Sequence, residues 1–308
     1  MHKNNITYVF LIGFQGLHQF KMLLFFSMLI IYCLTICGNV LIITLVSLSR
    51  NLHSPMYIFI SQVSLSDILL TTAILPNMFS IVLHEGSTMS LKSCIAQFFF
   101  FANVEAWECL LLTVMSYDRY LAICKPFLYS STMNDMFCIK AIIFAWLLSC
   151  FMIIVNSIAM CNLTFCGANV IDHFFCDFTP LINLACSDIS IVHMQTIIIT
   201  VSVIIFPFIV IVVSYVYIVL TILRIPSITK RKKAFSTCSS HLTVVSIFYG
   251  TLISVYVVPP RGQLLTVNKV LSLLYTAFTP MLNPIIYTLR NKDFKEAFRK
   301  YICYSSSV

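Results

Sequence analysis

The chain has 308 residues, of which 59% are hydrophobic and 10% charged, and its mean hydropathy is +0.95. An average soluble domain carries about 25% charged residues; a soluble globule of this composition would turn most of its apolar surface to water, so that class is excluded. The net charge of +8 leaves nucleic acid or an anionic membrane surface as partners, and the placement of the charges decides between them.

The first twenty residues hold no basic stretch leading into an apolar run and a small-residue cleavage site. No removable signal peptide is read, and the first membrane helix is expected to act as its own insertion signal. A helix needs roughly 20 apolar residues to cross a bilayer core. Such runs follow at 23–48, 57–82, 94–124, 138–161, 191–224, 234–258 and 267–289. They are continuous and do not alternate with period two, which excludes a β-barrel. The expected fold is therefore an all-α membrane protein. A seven-transmembrane helix bundle over 23–290 follows an extracellular segment, 1–22, and precedes a cytoplasmic tail, 291–308. Within 291–302, Phe294, Ala297, Phe298 and Tyr301 share one face and the charges mainly another. That is the pattern of a short amphipathic helix lying in the membrane interface.

With the N-terminus outside, fourteen of the 19 Lys and Arg residues fall on the cytoplasmic side, among them the run Lys230-Arg231-Lys232-Lys233. Lys3, Lys21, Lys92, Arg261 and Lys269 fall on the other. Basic residues concentrate in cytoplasmic loops, so this asymmetry sets the orientation. It also explains the net charge as a basic inner face for anionic lipid or a protein partner, with no nucleic acid. Two sequons, at Asn5 and Asn162, lie on the expected outer side. So do Cys166, Cys176 and Cys186, read as an extracellular disulfide framework whose pairing the spacing leaves open. None of the 13 Cys residues forms a CxxC pair, so no metal site is expected.

An ionised group at bilayer depth costs on the order of 3 kcal/mol or more, which makes each one a functional candidate. The candidates are Asp67, Glu105, Glu108 and the pair Asp118-Arg119, with Asn39 and Asn283 adding polar depth. Asn39 is read as structural. Asp67 and Glu108 are read as a shared site for a sodium ion or a proton, because two facing carboxylates do not both ionise unpaired; no other cofactor is expected. A secondary transporter would use similar groups and remains the alternative. No HExxH, GxSxG or glycine-rich nucleotide loop is present, so an enzyme is not expected.

Four stretches then carry a resemblance. They are Leu52-His53-Ser54-Pro55-Met56-Tyr57 with Leu65-Ser66-Asp67, and Met115-Ser116-Tyr117-Asp118-Arg119-Tyr120 running on to Pro126. The others are Lys233-Ala234-Phe235-Ser236-Thr237-Cys238-Ser239-Ser240-His241-Leu242 and Pro280-Met281-Leu282-Asn283-Pro284-Ile285-Ile286-Tyr287. In order and spacing, from Gly38-Asn39 to Lys300, they resemble vertebrate odorant receptors, a branch of the rhodopsin-like G-protein-coupled receptors.

The resemblance implies a receptor in the plasma membrane, in olfactory cilia, that takes a small, mostly apolar odorant. It would act on a heterotrimeric G protein of the stimulatory olfactory type, raising cyclic AMP. It implies an activation switch of Asp118, Arg119, Tyr120, Tyr215, Tyr249, Asn283, Pro284 and Tyr287, with bending expected at Pro207 and Pro284. It further implies the bridges Cys94–Cys176 and Cys166–Cys186. The pocket is expected from Phe101, Ala102, Glu105, Ile199, Thr200, Val203, Leu252, Ile253, Tyr256, Leu273 and Thr276. An odorant burying ~250–300 Å² there gains about 6–7.5 kcal/mol at ~25 cal/mol per Å², before costs, which points to micromolar affinity. Ala277 stands where a retinal-binding lysine would sit, and Phe101 where amine receptors of the familiar kind carry aspartate. Glu105 departs from the family, which usually has a small residue there, and suggests a counter-ion for a cationic ligand.

Overall fold

The computed structural model describes residues 6–14, 18–166, 168–257 and 264–305. Seven of its helices are long and apolar enough to cross a membrane. They are α1 (Lys21–Leu48), α2 (Pro55–His84), α3 (Leu91–Cys124), α4 (Asp135–Cys161), α5 (Ser190–Leu223), α6 (Ile228–Val257) and α7. The last runs from Leu264–Leu273 through a wide turn, Leu274–Phe278, into Thr279–Arg290. An eighth helix, α8 (Lys292–Ser305), follows it.

Lipid offers no hydrogen bonds, so a spanning segment must satisfy its own backbone. Helices do this, and their hydroxyls follow: Thr44 and Ser47 each donate to the carbonyl four residues back, at 2.8 Å. The loops start and stop the helices by capping. Pro55 opens α2, where its missing N–H is no loss. Ser90 Oγ accepts the Ser93 N–H at 3.0 Å to start α3, and Asn134 Oδ1 accepts the Phe137 N–H at 2.8 Å to start α4.

α3 is the central helix, packed against α2, α4 and α5. α1 touches α2 and α7, and comes closest to α7 at Gly38, where a Cβ would lie 2.9 Å from Pro284 Cγ. α5 widens at Thr200–Ile205, ahead of Pro207, and α7 at Leu274–Phe278, ahead of Pro280. A proline frees the carbonyl four residues before it and crowds it, and the wide turns absorb that strain. Pro284 lies inside the helical stretch Thr279–Arg290 and packs on Gly38, while α7 widens earlier, at Leu274–Phe278.

The face of the bundle that carries the N-terminal segment has a lid. β1 (Tyr8–Leu11) pairs antiparallel with β2 (Ser87–Ser90), Tyr8 opposite Ser90, and parallel with β3 (Val170–Ile171), Phe10 opposite Val170. Alternation buries Val9 and Leu11 and exposes Tyr8 and Phe10. Gly86 tolerates φ 143° between α2 and β2, and a Cβ there would meet Phe10 Cζ at 2.2 Å. Lys269 of α7 is buried, donates to the Gly13 carbonyl at 2.7 Å, and pairs with Asp172. The bridges Cys94–Cys176 and Cys166–Cys186 hold the 162–190 loop in the same lid.

At the opposite face, α8 buries Phe294 and Ala297 and leaves Phe298 41% exposed. The side chain of Tyr301 lies outside the described residues. Phe294 meets the ring of Tyr57 edge-on at 5.2 Å, and the Tyr57 hydroxyl donates to Asp293 Oδ2 at 2.6 Å. The start of α2 thereby docks the tail helix.

Candidate functional site: a cavity under the lid

Helical spacing of three and four puts Phe98, Phe101, Ala102 and Glu105 on one face of α3. Thr196, Ile199, Thr200 and Val203 of α5 face them across a cavity of about 70 Å³. Asn156 of α4 joins the wall, and Asp177 and Phe178 of the loop close the top. The loop reaches this depth because Cys176 is tied to Cys94, and its N–H donates to Gln97 Oε1 at 3.0 Å. Asp177 Oδ1 accepts the Phe178 N–H at 2.7 Å, and burial pushes the Asp177 carboxyl up to about 6.

Six of the residues expected in the pocket meet here: Phe101, Ala102, Glu105, Ile199, Thr200 and Val203. None of the described α6 and α7 residues expected in the pocket lines this cavity. Ile253 is 43% exposed and lines a groove between α5 and α6 on the outer surface of the bundle. One residue along a helix turns the side chain by about 100°, and the inward positions are Leu252 and Val255. Leu252 is buried, but in the core with Phe248 and Val203. Leu273 packs in the core with Phe101 and Tyr275, and Thr276 is buried, its hydroxyl donating to the Ser272 carbonyl at 2.8 Å. The side chain of Tyr256 lies outside the described residues.

Below the cavity lies a buried polar layer. Asn283 Nδ2 donates to both Asp67 oxygens at 3.1 Å. Ser66 Oγ donates to Glu108 Oε2 at 3.3 Å, and Glu108 Oε1 has no partner among the described residues. Asn39 Nδ2 donates to the carbonyls of Thr35, at 3.0 Å, and Pro280, at 3.1 Å, which ties α1 to α7. The carboxylates of Asp67 and Glu108 and the Ser66 hydroxyl are oxygen ligands of the kind a hard cation takes; the Asn283 amide occupies both Asp67 oxygens, and Glu108 Oε1 is the acceptor left over.

At the tail face, Arg119 Nε donates to Asp118 Oδ2 at 2.8 Å, and its Nη2 to the same oxygen. Tyr129, on the short helix Pro126–Thr132, donates to Asp118 Oδ1 at 3.1 Å. Burial, and next the Asp118 charge, pushes the Tyr129 phenol up to about 12. The Tyr215 hydroxyl lies 2.5 Å from His241 Nδ1, joining α5 to α6. Tyr249 and Tyr287 are both 1% exposed, and Tyr249 packs on Phe208 at 4.9 Å. Tyr120 lies edge-on to Tyr217, at 6.1 Å, and braces α3 against α5 away from the arginine.

Sequence reasoning missed Phe98, Asn156, Asp177, Phe178 and Thr196 at the cavity, and Tyr129 beside Asp118 and His241 beside Tyr215. Phe98 was within reach of the helical count, one turn above Phe101. The loop and α4 residues were not, because a disulfide and inter-helix packing bring them in. Asn162 is exposed at the end of α4, and Asn5 lies outside the described residues.

A seven-helix bundle with a cavity under a disulfide-held lid at one face and a buried Arg119–Asp118 pair at the other has the architecture of a membrane receptor. The chain belongs to the olfactory receptor family, whose family model, described as olfactory receptor, matches residues 26–305. It is similar to human olfactory receptor 11L1, 46% identical over 297 residues that cover 96% of this chain and 92% of the relative. It is also similar to human olfactory receptor 11A1 (44% over 299 residues, 97% and 94%) and mouse olfactory receptor 5P55 (43% over 301 residues, 96% and 96%). The protein is thus a multi-pass, odorant-sensing G-protein-coupled receptor. The family consists of signalling receptors, which removes both an enzyme and a secondary transporter.

Proposed function

We propose that this receptor binds small, mostly apolar volatile or water-borne ligands in the cavity under the lid and activates a stimulatory olfactory G protein, raising cyclic AMP. The observation that carries the reading is the meeting of Phe101, Ala102, Ile199, Thr200 and Val203 around one apolar cavity closed by the bridged loop. The lid face lies outside and the α8 face in the cytoplasm of a plasma membrane, that of the olfactory cilia, with glycans at Asn5 and Asn162. The basic α8 face meets the G protein and anionic lipid.

The switch works as a two-state element. In the state described, Arg119 is neutralised by Asp118, and Tyr215 holds His241. A ligand that binds the open arrangement of α6 more tightly shifts the balance by its differential affinity, and Arg119 is then released to the G protein. Asp67, Glu108 and Ser66 would hold a sodium ion or a proton between α2 and α3, whose charge favours the closed state. The test is cyclic AMP accumulation in cells co-expressing the chain with an olfactory stimulatory G protein, against acids, aldehydes, alcohols and amines. A response that Arg119→Ala abolishes at unchanged surface expression supports the reading. Silence across the panel with the receptor at the surface counts against that G protein and ligand range.

A further inference from the structure

The wall of the cavity is mostly apolar, but its buried polar atoms without partners are of one kind. Glu105 is 6% exposed, and its Oε1 has no hydrogen-bond partner among the described residues. Asn156 is 2% exposed, and its Oδ1 is likewise without one. The orientation of that amide is fixed by its neighbours. Thr196 donates its hydroxyl hydrogen to the Val192 carbonyl at 2.9 Å, so it accepts from Asn156, and the amide NH₂ must be the group that points to it, at 2.9 Å. The carbonyl oxygen is the atom left over. Both partnerless atoms are therefore acceptors.

A second carboxyl stands at the same cavity. Asp177 lies within repulsive range of Glu105, and no Lys, Arg or His lines the cavity among the described residues. The ion pairs among those residues are Lys21–Glu85, Arg119–Asp118 and Lys269–Asp172, none of which involves Glu105 or Asp177. Leaving a buried acceptor unmade is costly, and two carboxyls without a cation are more so. The rings of Phe98, Phe101 and Phe178 complete the wall, with Phe98 lying 5.7 Å from Phe101 and 6.1 Å from Phe178. Aromatic faces attract cations.

We infer that the cavity takes a compact aliphatic amine as its ammonium ion, with Glu105 as the primary counter-charge, Asn156 Oδ1 as a second acceptor and Asp177 as the charge above them. An ammonium carries donors and no acceptor, the complement of the partnerless atoms, whereas an alcohol brings one donor and a carboxylate only acceptors. A simple alkyl amine keeps its proton at neutral pH, by analogy with the lysine ammonium at about 10.4. At about 70 Å³ the cavity is small against the roughly 300–1,000 Å³ of usual ligand sites, which favours a short chain. The inference rests on the receptor reading above for its consequence, signalling, but concerns binding alone.

The experiment uses the full chain, purified into lipid nanodiscs, and follows its thermal unfolding with n-butylamine, 1-butanol or butanoate. Butylamine is expected to raise the midpoint at lower concentration than butanol, and butanoate to leave it unmoved. In Glu105→Gln the concentration of butylamine giving half the effect rises at least tenfold, while that of butanol stays within about twofold. Glu105→Asp, which keeps the charge, retains the preference for the amine, and it carries the test should the glutamine variant not fold. An amine effect absent in the wild type, no greater than that of butanol, or unchanged in Glu105→Gln overturns the inference. Cyclic AMP measured alongside separates the two readings. Butylamine binding without a signal leaves the site standing and counts against the coupling; a signal from another ligand class without amine binding does the reverse.

Discussion

The Tyr215 hydroxyl and His241 Nδ1 meet at 2.5 Å between α5 and α6, with their rings stacked 5.8 Å apart. This contact bridges the two helices that the proposed activation would separate, and Tyr215 lies within the same core that holds the middle of α3. A hydrogen bond of this kind contributes about 1 kcal/mol net, close to a fivefold population shift. His241→Phe keeps the stacking and removes the bond. Ligand-independent cyclic AMP should therefore rise several-fold at equal surface expression. An unchanged basal level would show that the bond does not hold the resting state.

The acidic layer makes a prediction about ions. If Asp67 and Glu108 hold a cation in the resting state, sodium should raise the thermal midpoint of the purified receptor more than choline does at equal ionic strength. Glu108→Gln removes a charge while Ser66 keeps a partner, so the sodium-specific increment should vanish and the fold persist. A sodium increment that survives in Glu108→Gln would place the ion elsewhere or rule it out.

Two glycines should answer oppositely to alanine. At Gly38 the new Cβ would sit 2.9 Å from the Pro284 ring, which cannot turn away. Overpacking of this order costs about 1–3 kcal/mol, and the α1–α7 contact should loosen, with a lower unfolding midpoint. At Gly250 nothing lies within 4 Å of the added atom, and alanine gains about 1 kcal/mol of helix propensity. Gly250→Ala should be neutral or stabilising; a shared loss at both sites would contradict the packing described.

The lid should be acid-sensitive. His173 is 1% exposed between the rings of Phe174 and Phe175, and burial, then the nearby Lys269 charge, holds its imidazole down at about 3. The folded lid binds this proton less readily than the open chain. The stability it contributes is complete above pH ~6.5 and is lost as pH falls from there toward about 3. Asp177, pushed up to about 6, works the other way, favouring the closed lid as pH falls from about 6 toward ~4. Amide exchange at Val9 and Leu11 should quicken on acidification relative to a His173→Phe receptor, whose lid lacks the first of these terms. Identical profiles in the two proteins would remove His173 from the account.

What the residues determined alone is set by the solvent. Seven apolar runs have one low-energy solution in lipid, so helix number and rough extent follow from hydropathy, and the amphipathic α8 from the placement of Phe294 and Ala297. The identities of Asp118, Arg119, Asp67 and Glu108 follow too, because charge at bilayer depth is too costly to be incidental. The α3 and α5 walls of the cavity were also legible, since Phe101, Ala102 and Glu105 obey a regular 3.6-residue period. Tertiary structure decided the rest. The widened turn before Pro280 and the rotation of α6 that leaves Ile253 exposed beside α5 are set by packing, so what those helices contribute was not legible. Val9 and Leu11 become a strand only against β2 and β3, partners far away in sequence. Asp177 reaches Glu105 because the Cys94–Cys176 bridge pulls the loop into the bundle. Local pattern fixes which residues are apolar, helical or charged; long-range packing and covalent closure fix which of them meet.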